Sequence, residues 1–366
     1  MIKLAAFSLV FLFPLTIIGQ QLELLTDLNS SMNESSGLIY LEGRLITHND
    51  SGGEPKLYEL DSHTGNIVRE VEVLNAVNKD WEDICYDDDY IYIGDFGNNT
   101  GSRTDLKIYR IPRQDYLDNN NSTVSAEVIS FNYSDQIDFT IANLNTEYDA
   151  ESIISLGDSL YIFTKNWVSN RTFVYPIPKT PDHYELIKID SLDIGGLATG
   201  ADICPETGRI ILTAYTLFQP YIVILSDYSE NLFSQGTVET INLQAPSGYS
   251  YQIEAVAVIS ENLFYITSEK NSTGNSGLYK LGFNTNGISE EQSEAISIYP
   301  NPTSDYFYVS TSQNTLVNIY NIIGEKVKSS TSKKIDIREL SAGIYAVEIC
   351  ESNSQVFSTQ KLIIRP

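Results

Sequence analysis

The sequence has few cysteines, histidines and basic residues, and each shortage excludes a class of protein. Its 366 residues include three cysteines and three histidines, too few for a disulfide-dense scaffold or a zinc site built from Cys and His. Lys and Arg number 23 against 48 Asp and Glu, which gives a net charge of −25. Because nucleic-acid affinity rests on basic side chains that displace counterions from phosphates, this excess of acid argues against a nucleic-acid-binding protein.

The residues that are abundant favour β-strands. The chain contains 24 tyrosines and is 42% hydrophobic but only 19% charged. Aromatic and β-branched side chains suit the half-buried, pleated surface of a sheet. The length fits two or three domains, or one large domain and a small one. We therefore expect an all-β protein.

The first nineteen residues have the pattern of a secretory signal peptide. Lys3 precedes an apolar run over residues 4–18, which Gly19 ends. A membrane anchor is the alternative, but a spanning helix needs about twenty apolar residues and this run is shorter. No later stretch is long and apolar enough to span, so we expect a secreted mature chain without a transmembrane segment.

Residues 296–366 predict a small immunoglobulin-like β-sandwich. Short alternating strands are separated by Asn-Pro, Gly and Ser-Ala-Gly turns. The segment opens with Tyr299-Pro300-Asn301-Pro302 and later contains Leu340-Ser341-Ala342-Gly343-Ile344-Tyr345. Residues 284–295 are polar and without periodicity, so they are interpreted as a linker.

These two motifs, occurring together at a C-terminus, resemble the type A C-terminal sorting domain of type IX secretion cargo proteins from Bacteroidetes. The resemblance covers the whole of 296–366. It implies export across the inner membrane by the signal peptide and across the outer membrane by the secretion machinery, which recognises this domain. The domain would then be removed, and the protein released or attached to the cell surface. An ordinary immunoglobulin-like module is the alternative interpretation.

Residues 20–283 contain an internal repeat. Five segments each pair two short apolar strands around a turn, and the leading apolar residues of the two strands are always seven positions apart. A four-stranded unit that recurs about every fifty residues predicts a propeller blade. The pairs are Leu38 and Leu45, Ile84 and Ile91, Ile153 and Leu160, Ile203 and Ile210, and Val256 and Leu263.

The repeat predicts a five-bladed β-propeller. The fifth unit lacks an outer strand, which Leu22-Glu23-Leu24-Leu25 can supply, closing the ring. A sixth blade in the long gap between the second and third repeats is the alternative. Cys85 and Cys204 end two Asp-Ile-Cys triplets at equivalent repeat positions. We interpret them as buried apolar residues, with a disulfide bridge as the alternative.

The position two residues before each first anchor is expected to face the propeller axis. It is occupied by Ser36, Glu82, Glu151, Ala201 and Glu254. Carboxylates confined in a channel repel one another and lose hydration, so a compensating cation is expected. Oxygen ligands favour Ca²⁺, and Ser36, Glu82, Glu151 and Glu254 are its candidate ligands. The alternative is that these glutamates accept backbone N–H bonds from neighbouring blades or are protonated.

This series resembles the axial calcium site of the calcium-activated nucleotidase (apyrase) family of five-bladed propellers. Ala201 departs from that family, which has a hydroxyl ligand there. Asp80-Trp81-Glu82-Asp83-Ile84 and Gly94-Asp95-Phe96-Gly97-Asn98-Asn99 also resemble phytase-like esterase propellers. The resemblance covers only the framework of the propeller, and one fold hosts many functions.

Loops that follow the second strands are expected to meet at one mouth of the propeller, where they bring together acids and cations. The candidate ligand-binding residues are Asp50, Asp95, Arg103, Lys165, Arg171 and Glu269. Cations beside a bound metal suit a phosphate ester, so one hypothesis is a calcium-dependent hydrolase of phosphate esters or nucleotides. The other is a non-catalytic surface module that binds a small molecule, glycan or protein. Serine-esterase, phosphate-loop and zinc-protease motifs are absent from the sequence.

Overall fold

The structure is a computed structural model that describes residues 20–216, 219–229, 231–246, 249, 252–271, 274–283, 297–310, 315–321, 326–351 and 356–365. The predicted signal peptide (1–19) and linker (284–295) lie outside the described residues. The chain divides into two compact units, Met1–Asn284 and Thr285–Pro366. Within the described ranges, none of the helices combines the length and the apolar character that crossing a bilayer requires.

The first unit is a five-bladed β-propeller, as the repeat predicts. The inner strand of each blade contacts the inner strand of the next, and blade 5 contacts blade 1, so the ring is closed. From inner to outer edge, the strands are Ser35–Leu41, Arg44–Asn49, Lys56–Leu60 and Ile67–Val73 in blade 1; Trp81–Tyr86, Tyr90–Asp95, Lys107–Pro112 and Glu127–Tyr133 in blade 2; Ala150–Leu156, Ser159–Thr164, Arg171–Pro178 and Asp190–Asp193 in blade 3; Leu197–Ile203, Ile210–Thr216, Gln219–Ser226 and Thr237–Gln244 in blade 4; and Ile253–Ser260, Leu263–Ser268, Gly277–Gly282 and Glu23–Asp27 in blade 5.

Short elements extend the blades and fill the gap in which a sixth blade was the alternative. Three strands add to outer edges in parallel: Thr123–Val124 on blade 1, His183–Leu186 on blade 2 and Gln20–Gln21 on blade 4. The part of the chain that the structure describes contains the α-helix Arg113–Leu117 and the 3₁₀ helices Ser30–Met32 and Phe233–Gln235. The gap between the second and third repeats holds the outer strand of blade 2 and an irregular segment.

The N-terminal strand closes the propeller. Glu23–Asp27 pairs antiparallel with Gly277–Gly282, which covers the outer edge of blade 5. Leu22, just before it, is buried against Ile211 and Leu243 of blade 4 and Tyr279 of blade 5. The predicted closure by residues 22–25 is therefore confirmed.

Each inner strand carries a β-bulge near its first residues, and the bulges correct one sequence expectation. Glu82, Glu151 and Glu254 each occupy the extra position of a bulge in their own blade. In blade 4 the extra residue is Thr199 and not Ala201. The seven-residue spacing therefore placed the axial position of blade 4 two residues too late along the chain. The residue that lies at this position, Thr199, carries a hydroxyl group.

The same shift corrects the expected equivalence of Cys85 and Cys204, whereas their interpretation as buried residues is confirmed. Cys85 lies within the inner strand of blade 2, whereas Cys204 lies just beyond the inner strand of blade 4. The two positions are therefore not equivalent. The side chains are buried in different hydrophobic clusters, and both cysteines are free thiols.

Buried aspartates connect the inner strands. The Asp83 carboxylate accepts backbone N–H groups from Ile153 of blade 3 (2.9 Å) and Ala201 of blade 4 (3.1 Å). The Asp202 carboxylate accepts the N–H of Val258 in blade 5 (2.7 Å). Among the described residues, backbone N–H groups of neighbouring blades donate to these aspartates and not to the carboxylates of Glu82, Glu151 or Glu254.

The second unit consists of two antiparallel sheets around one core. Buried Phe307 and Ile335 come from the smaller sheet and pack with Val317, Val347 and Leu362 of the larger one. The strands are Ser297–Tyr299, Tyr306–Ser310 and Lys334–Asp336 in the smaller sheet, and Lys326–Ser330, Thr315–Tyr320, Gly343–Glu351 and Val356–Ile364 in the larger.

Candidate functional site

Seven carboxylates lie at one mouth of the propeller, where the inner strands begin and the second strands end. They are close enough to interact electrostatically with one another. Two triads among them have ligand atoms within 4.8 Å of one another, and Glu82 belongs to both. We call Asp50, Asp80 and Glu82 the first triad, and Glu82, Asp149 and Glu151 the second triad. The seven residues are Asp50, Asp80, Glu82, Asp149, Glu151, Glu254 and Glu269.

The second triad is well supplied with protein donors. Asp149 accepts hydrogen bonds from the Asn98 backbone N–H (2.6 Å) and the Trp167 indole N–H (2.7 Å). Both Glu151 oxygens bind the Lys165 ammonium, at 2.6 and 2.7 Å. Burial opposes the charge on Lys165, but Glu151 and Glu254 outweigh it and hold the pKa of Lys165 well above its usual range.

The first triad has few donors. Among the residues that the structure describes, the Asp50 carboxylate accepts only the backbone N–H of Ser51, and the one guanidinium atom within 4 Å of the triad is Arg103 Nη1, 3.9 Å from Asp80 Oδ2. Among the described residues, no donor binds the Glu82 carboxylate. Asp50 and Asp80 are partly exposed at the mouth. Three carboxylates that share so little positive charge form an environment that favours a cation.

Glu254 and Glu269 extend the negative charge across the mouth. Glu269 accepts a hydrogen bond from the Gln252 amide (2.8 Å). One oxygen of Glu254, Oε1, is buried and has no hydrogen-bond partner. A buried carboxylate oxygen without a partner is costly, so this position also requires compensation.

Loss of hydration raises the pKa values throughout the cluster. Burial first, and then neighbouring carboxylates, raise the pKa of Asp80 to about 7 and that of Glu269 to about 9. Burial, partly opposed by the Ser51 N–H and by Lys165, raises the pKa of Asp50 to about 6. Burial, opposed by Lys165, raises the pKa of Glu254 to about 7. The pKa of Glu82 is also raised well above its usual range, by burial and then by Asp50 and Glu151.

The hydroxyl residues at the axis are oriented by backbone groups. Ser36 donates a hydrogen bond to the carbonyl of Glu82 in the next blade, and Thr199 donates to the carbonyl of Ile253 at 2.7 Å. Of the four metal ligands that the sequence nominates, the structure therefore brings Glu82, Glu151 and Glu254 into the carboxylate cluster. It turns the hydroxyl of Ser36 toward the backbone.

The three cations nominated at the rim are all engaged by protein acceptors. Lys165 is held by Glu151, as described. Arg103 binds Asp95 (2.9 Å), Asp105 (3.2 Å) and the Gly97 carbonyl (2.8 Å). Arg171 binds Ser191 through Nε and Nη2, and its Nη1 lies 3.5 Å from Asp193. Of the nominated acids, Asp50 and Glu269 join the cluster, whereas Asp95 serves as the partner of Arg103.

Sequence reasoning did not nominate two carboxylates of this cluster. Asp80 lies two residues before Glu82, and Asp149 lies two residues before Glu151. Alternate residues of an extended chain face the same side, so acids spaced by two at the start of an inner strand were the available signal. That spacing recurs in two adjacent blades.

Comparisons with known proteins identify the C-terminal unit. Residues 297–365 match the secretion system C-terminal sorting domain. The second unit is a secretion sorting domain. The sorting domain marks the chain as type IX secretion cargo, exported to the cell surface or the extracellular space. A search of curated proteins finds no match to the chain.

Three solved structures resemble the chain at low sequence identity. PorZ, an essential surface component of the type IX secretion system of Porphyromonas gingivalis, is 10% identical over 91% of this chain and 45% of its own, with a TM-score of 0.36. The PQQ-bound aldose sugar dehydrogenase of Streptomyces coelicolor is 9% identical over 71% of this chain and 97% of its own, with a TM-score of 0.43. A DUF4623 family protein of Bacteroides eggerthii is 12% identical over 92% of this chain and 73% of its own, with a TM-score of 0.41. The chain spans less than half of the PorZ chain.

Gly97 provides a test of the first triad that leaves the sorting domain untouched. A Cβ at this position would overlap Glu82 Oε1 and Asp80 Oδ2, which are the far ends of flexible side chains. Gly97→Ala is therefore expected to displace two carboxylates while preserving the fold. If the first triad holds Ca²⁺, the substitution should weaken its binding by about 10–100-fold, the usual effect of disturbing a metal's supporting shell. Calorimetric titration with Ca²⁺ measures the affinity. Unchanged affinity would contradict this placement of the site.

Proposed function

We propose that the propeller is a surface-exported binding module that holds a divalent cation, Ca²⁺, at Asp50, Asp80 and Glu82 and contacts its ligand through that ion. The observation that carries the proposal is the shortage of donors in the first triad. Three carboxylates lie within 4.8 Å of one another and share one backbone N–H and a guanidinium atom at 3.9 Å.

The ligand chemistry favours Ca²⁺. It takes about six to eight oxygen ligands in flexible geometry, whereas Mg²⁺ demands a near-ideal octahedron. Asp50 and Asp80 lie in loop positions and Glu82 lies on a bulge, so their geometry is irregular. Three carboxylates leave coordination positions toward the open mouth for water or for oxygen atoms of a ligand.

The charges at the mouth favour binding over phosphate-ester hydrolysis. Hydrolysis of a phosphate ester would use cations to hold the anionic substrate, but Arg103, Lys165 and Arg171 each have protein acceptors. An anion would also face the four carboxylates outside the first triad. A neutral ligand rich in hydroxyl or carbonyl oxygens, such as a glycan or a peptide backbone, avoids that repulsion.

The amount of metal bound by the purified protein tests the proposed cation site. The full mature chain (residues 20–366) is equilibrated with Ca²⁺ and then desalted. It is expected to retain one Ca²⁺ per chain, measured by elemental mass spectrometry. Glu82→Gln is expected to retain none, whereas Asp158→Asn, an exposed acid on a turn between the inner and second strands of blade 3, serves as the control. A wild-type chain with no bound ion and no response to chelator would contradict the proposal.

Ligand assays distinguish binding from hydrolysis. A glycan array probed with and without chelator is expected to show Ca²⁺-dependent retention that Glu82→Gln abolishes. Phosphatase and nucleotidase substrates are expected to give no turnover. Phosphate release that requires Ca²⁺ and disappears in Glu82→Gln would instead support the hydrolase.

The raised pKa values predict how pH and cation act together on stability. Carboxylates with raised pKa values in the folded state stabilise the fold below their unfolded pKa of about 4, and this contribution is lost as the pH rises through their folded pKa values. In chelator, the melting temperature is therefore expected to fall between pH 5 and 9, as Asp50, Asp80, Glu254 and Glu269 ionise. Differential scanning fluorimetry measures this fall.

Added Ca²⁺ is expected to reverse that loss, because it binds the ionised carboxylates. The increase in melting temperature on Ca²⁺ addition should therefore be small at pH 5 and grow toward pH 8, reaching about 5 °C or more at saturating ion. A Ca²⁺ effect that is independent of pH, or a chelated protein that is most stable at pH 9, would contradict the prediction.

A further inference from the structure

Lys165 forms a buried ion pair with Glu151 of the second triad. Its ammonium lies 2.6 and 2.7 Å from the two oxygens of Glu151. It also lies 5.2 Å from the ring centroid of Trp167 and 5.4 Å from that of Tyr215, which adds cation–π attraction. Lysine is seldom fully buried unless it is paired, and this side chain is only 6% exposed.

The Glu151 carboxylate that binds Lys165 also belongs to a group of carboxylates that could hold a metal ion. The ligand atoms of Glu82, Asp149 and Glu151 lie within 4.8 Å of one another. Glu254 interacts electrostatically with Lys165, and its Oε1 is buried without a hydrogen-bond partner. Without the ammonium, these buried oxygens would be neutralised either by protons or by another cation, and a divalent ion offers the larger compensating charge.

We infer that Lys165 replaces a second divalent ion and thereby keeps the site mononuclear. This inference rests on the proposed cation at the first triad. Because Glu82 belongs to both triads, a second ion would share Glu82 with the first. Paired metal ions about 3.5–4 Å apart are the usual arrangement for hydrolysing phosphate esters. An ammonium supplies charge but no open coordination position, so Lys165 leaves a single ion to contact the ligand.

Removing the ammonium should open the second position. The full mature chain with Lys165→Met is expected to bind two Mn²⁺ ions per chain, where the wild type binds one, as measured by equilibrium dialysis. Two Mn²⁺ ions bridged by Glu82 are also expected to show an exchange-coupled electron paramagnetic resonance spectrum in place of the six-line signal of a single ion. Lys165→Gln, which keeps a donor for Glu151, is a second variant with the same expected result.

Lys179→Met is the matched control. Lys179 also forms an ion pair, with half-buried Asp87 at 2.9 Å, but Asp87 belongs to none of the carboxylate triads found among the described residues. This variant is expected to bind one Mn²⁺ with an uncoupled spectrum. The double variant Lys165→Met and Glu151→Gln, which removes a ligand together with the ammonium, should also return to one ion.

The outcomes distinguish this inference from the proposed function on which it rests. A wild type that binds no Mn²⁺ contradicts the proposed function itself. A wild type that binds one ion, with Lys165 variants that also bind one, overturns only the role of Lys165. Recovery of the Lys165 variants as folded protein only when Mn²⁺ is present, with two ions bound, supports the inference. Failure of both variants to fold in the presence of Mn²⁺ overturns it.

Discussion

A chain that begins at Leu28 is expected to lose its folded propeller. The deletion removes Glu23–Asp27, the outer strand of blade 5, and leaves the edge of Gly277–Gly282 unpaired. It also removes buried Leu22 and half-buried Leu24 from the cluster between blades 4 and 5. Full burial of a leucine such as Leu22 contributes about 1.5–3 kcal/mol. Because a typical domain is stable by only about 5–15 kcal/mol, and an open strand edge promotes aggregation, soluble folded protein should fall sharply.

Two measurements check this expectation. The soluble yield and the urea unfolding midpoint are compared with those of the mature chain and of a control that lacks only Gln20 and Gln21. Both control residues are exposed, so that deletion should leave the unfolding midpoint nearly unchanged. A chain beginning at Leu28 that unfolds at the wild-type midpoint would show that the strand is dispensable for closure.

Asp83→Ala is expected to lower the free energy of unfolding by about 3–5 kcal/mol. The Asp83 side chain is fully buried and accepts backbone N–H groups of its own blade and of two others, at Ile84, Ile153 and Ala201. Alanine would leave these three donors without an acceptor in a site that excludes water. Urea titration followed by tryptophan fluorescence gives the change in free energy.

Asp202→Ala is the graded control for this substitution. Asp202 also accepts backbone N–H groups on its inner strand, but only one of them, from Val258, belongs to another blade. Its replacement should therefore cost less than that of Asp83. Equal losses for both variants would argue against a role of Asp83 in holding three blades together.

Much of the fold could be predicted from the sequence, because paired apolar strands recur with constant spacing. The blade count and the closing strand follow from that pattern. The error in blade 4 has a physical reason: a shift of two residues leaves every side chain on the same face of the strand. The repeated Asp-Ile-Cys triplet favoured the wrong register, so Thr199 was missed.

Less of the candidate site could be predicted. Glu82 was predicted from the repeat, and Asp50 from the position of the loop that follows its strand. Both lie in the first triad. The partners of Arg103 and Lys165 could not be foreseen, because these long side chains reach acceptors that only the folded loops bring near. Those ion pairs are what turn the interpretation from a phosphate-ester hydrolase toward a binding module for a neutral ligand.

A crystal structure of the mature chain grown with Ca²⁺ tests the central claim most directly. The account predicts anomalous density for one ion, about 2.3–2.6 Å from oxygens of Asp50, Asp80 and Glu82, with Lys165 still bound to Glu151. The account would be contradicted if the mouth contained no ion, or if the ion lay on the axis between Glu151 and Glu254 with the Lys165 ammonium displaced.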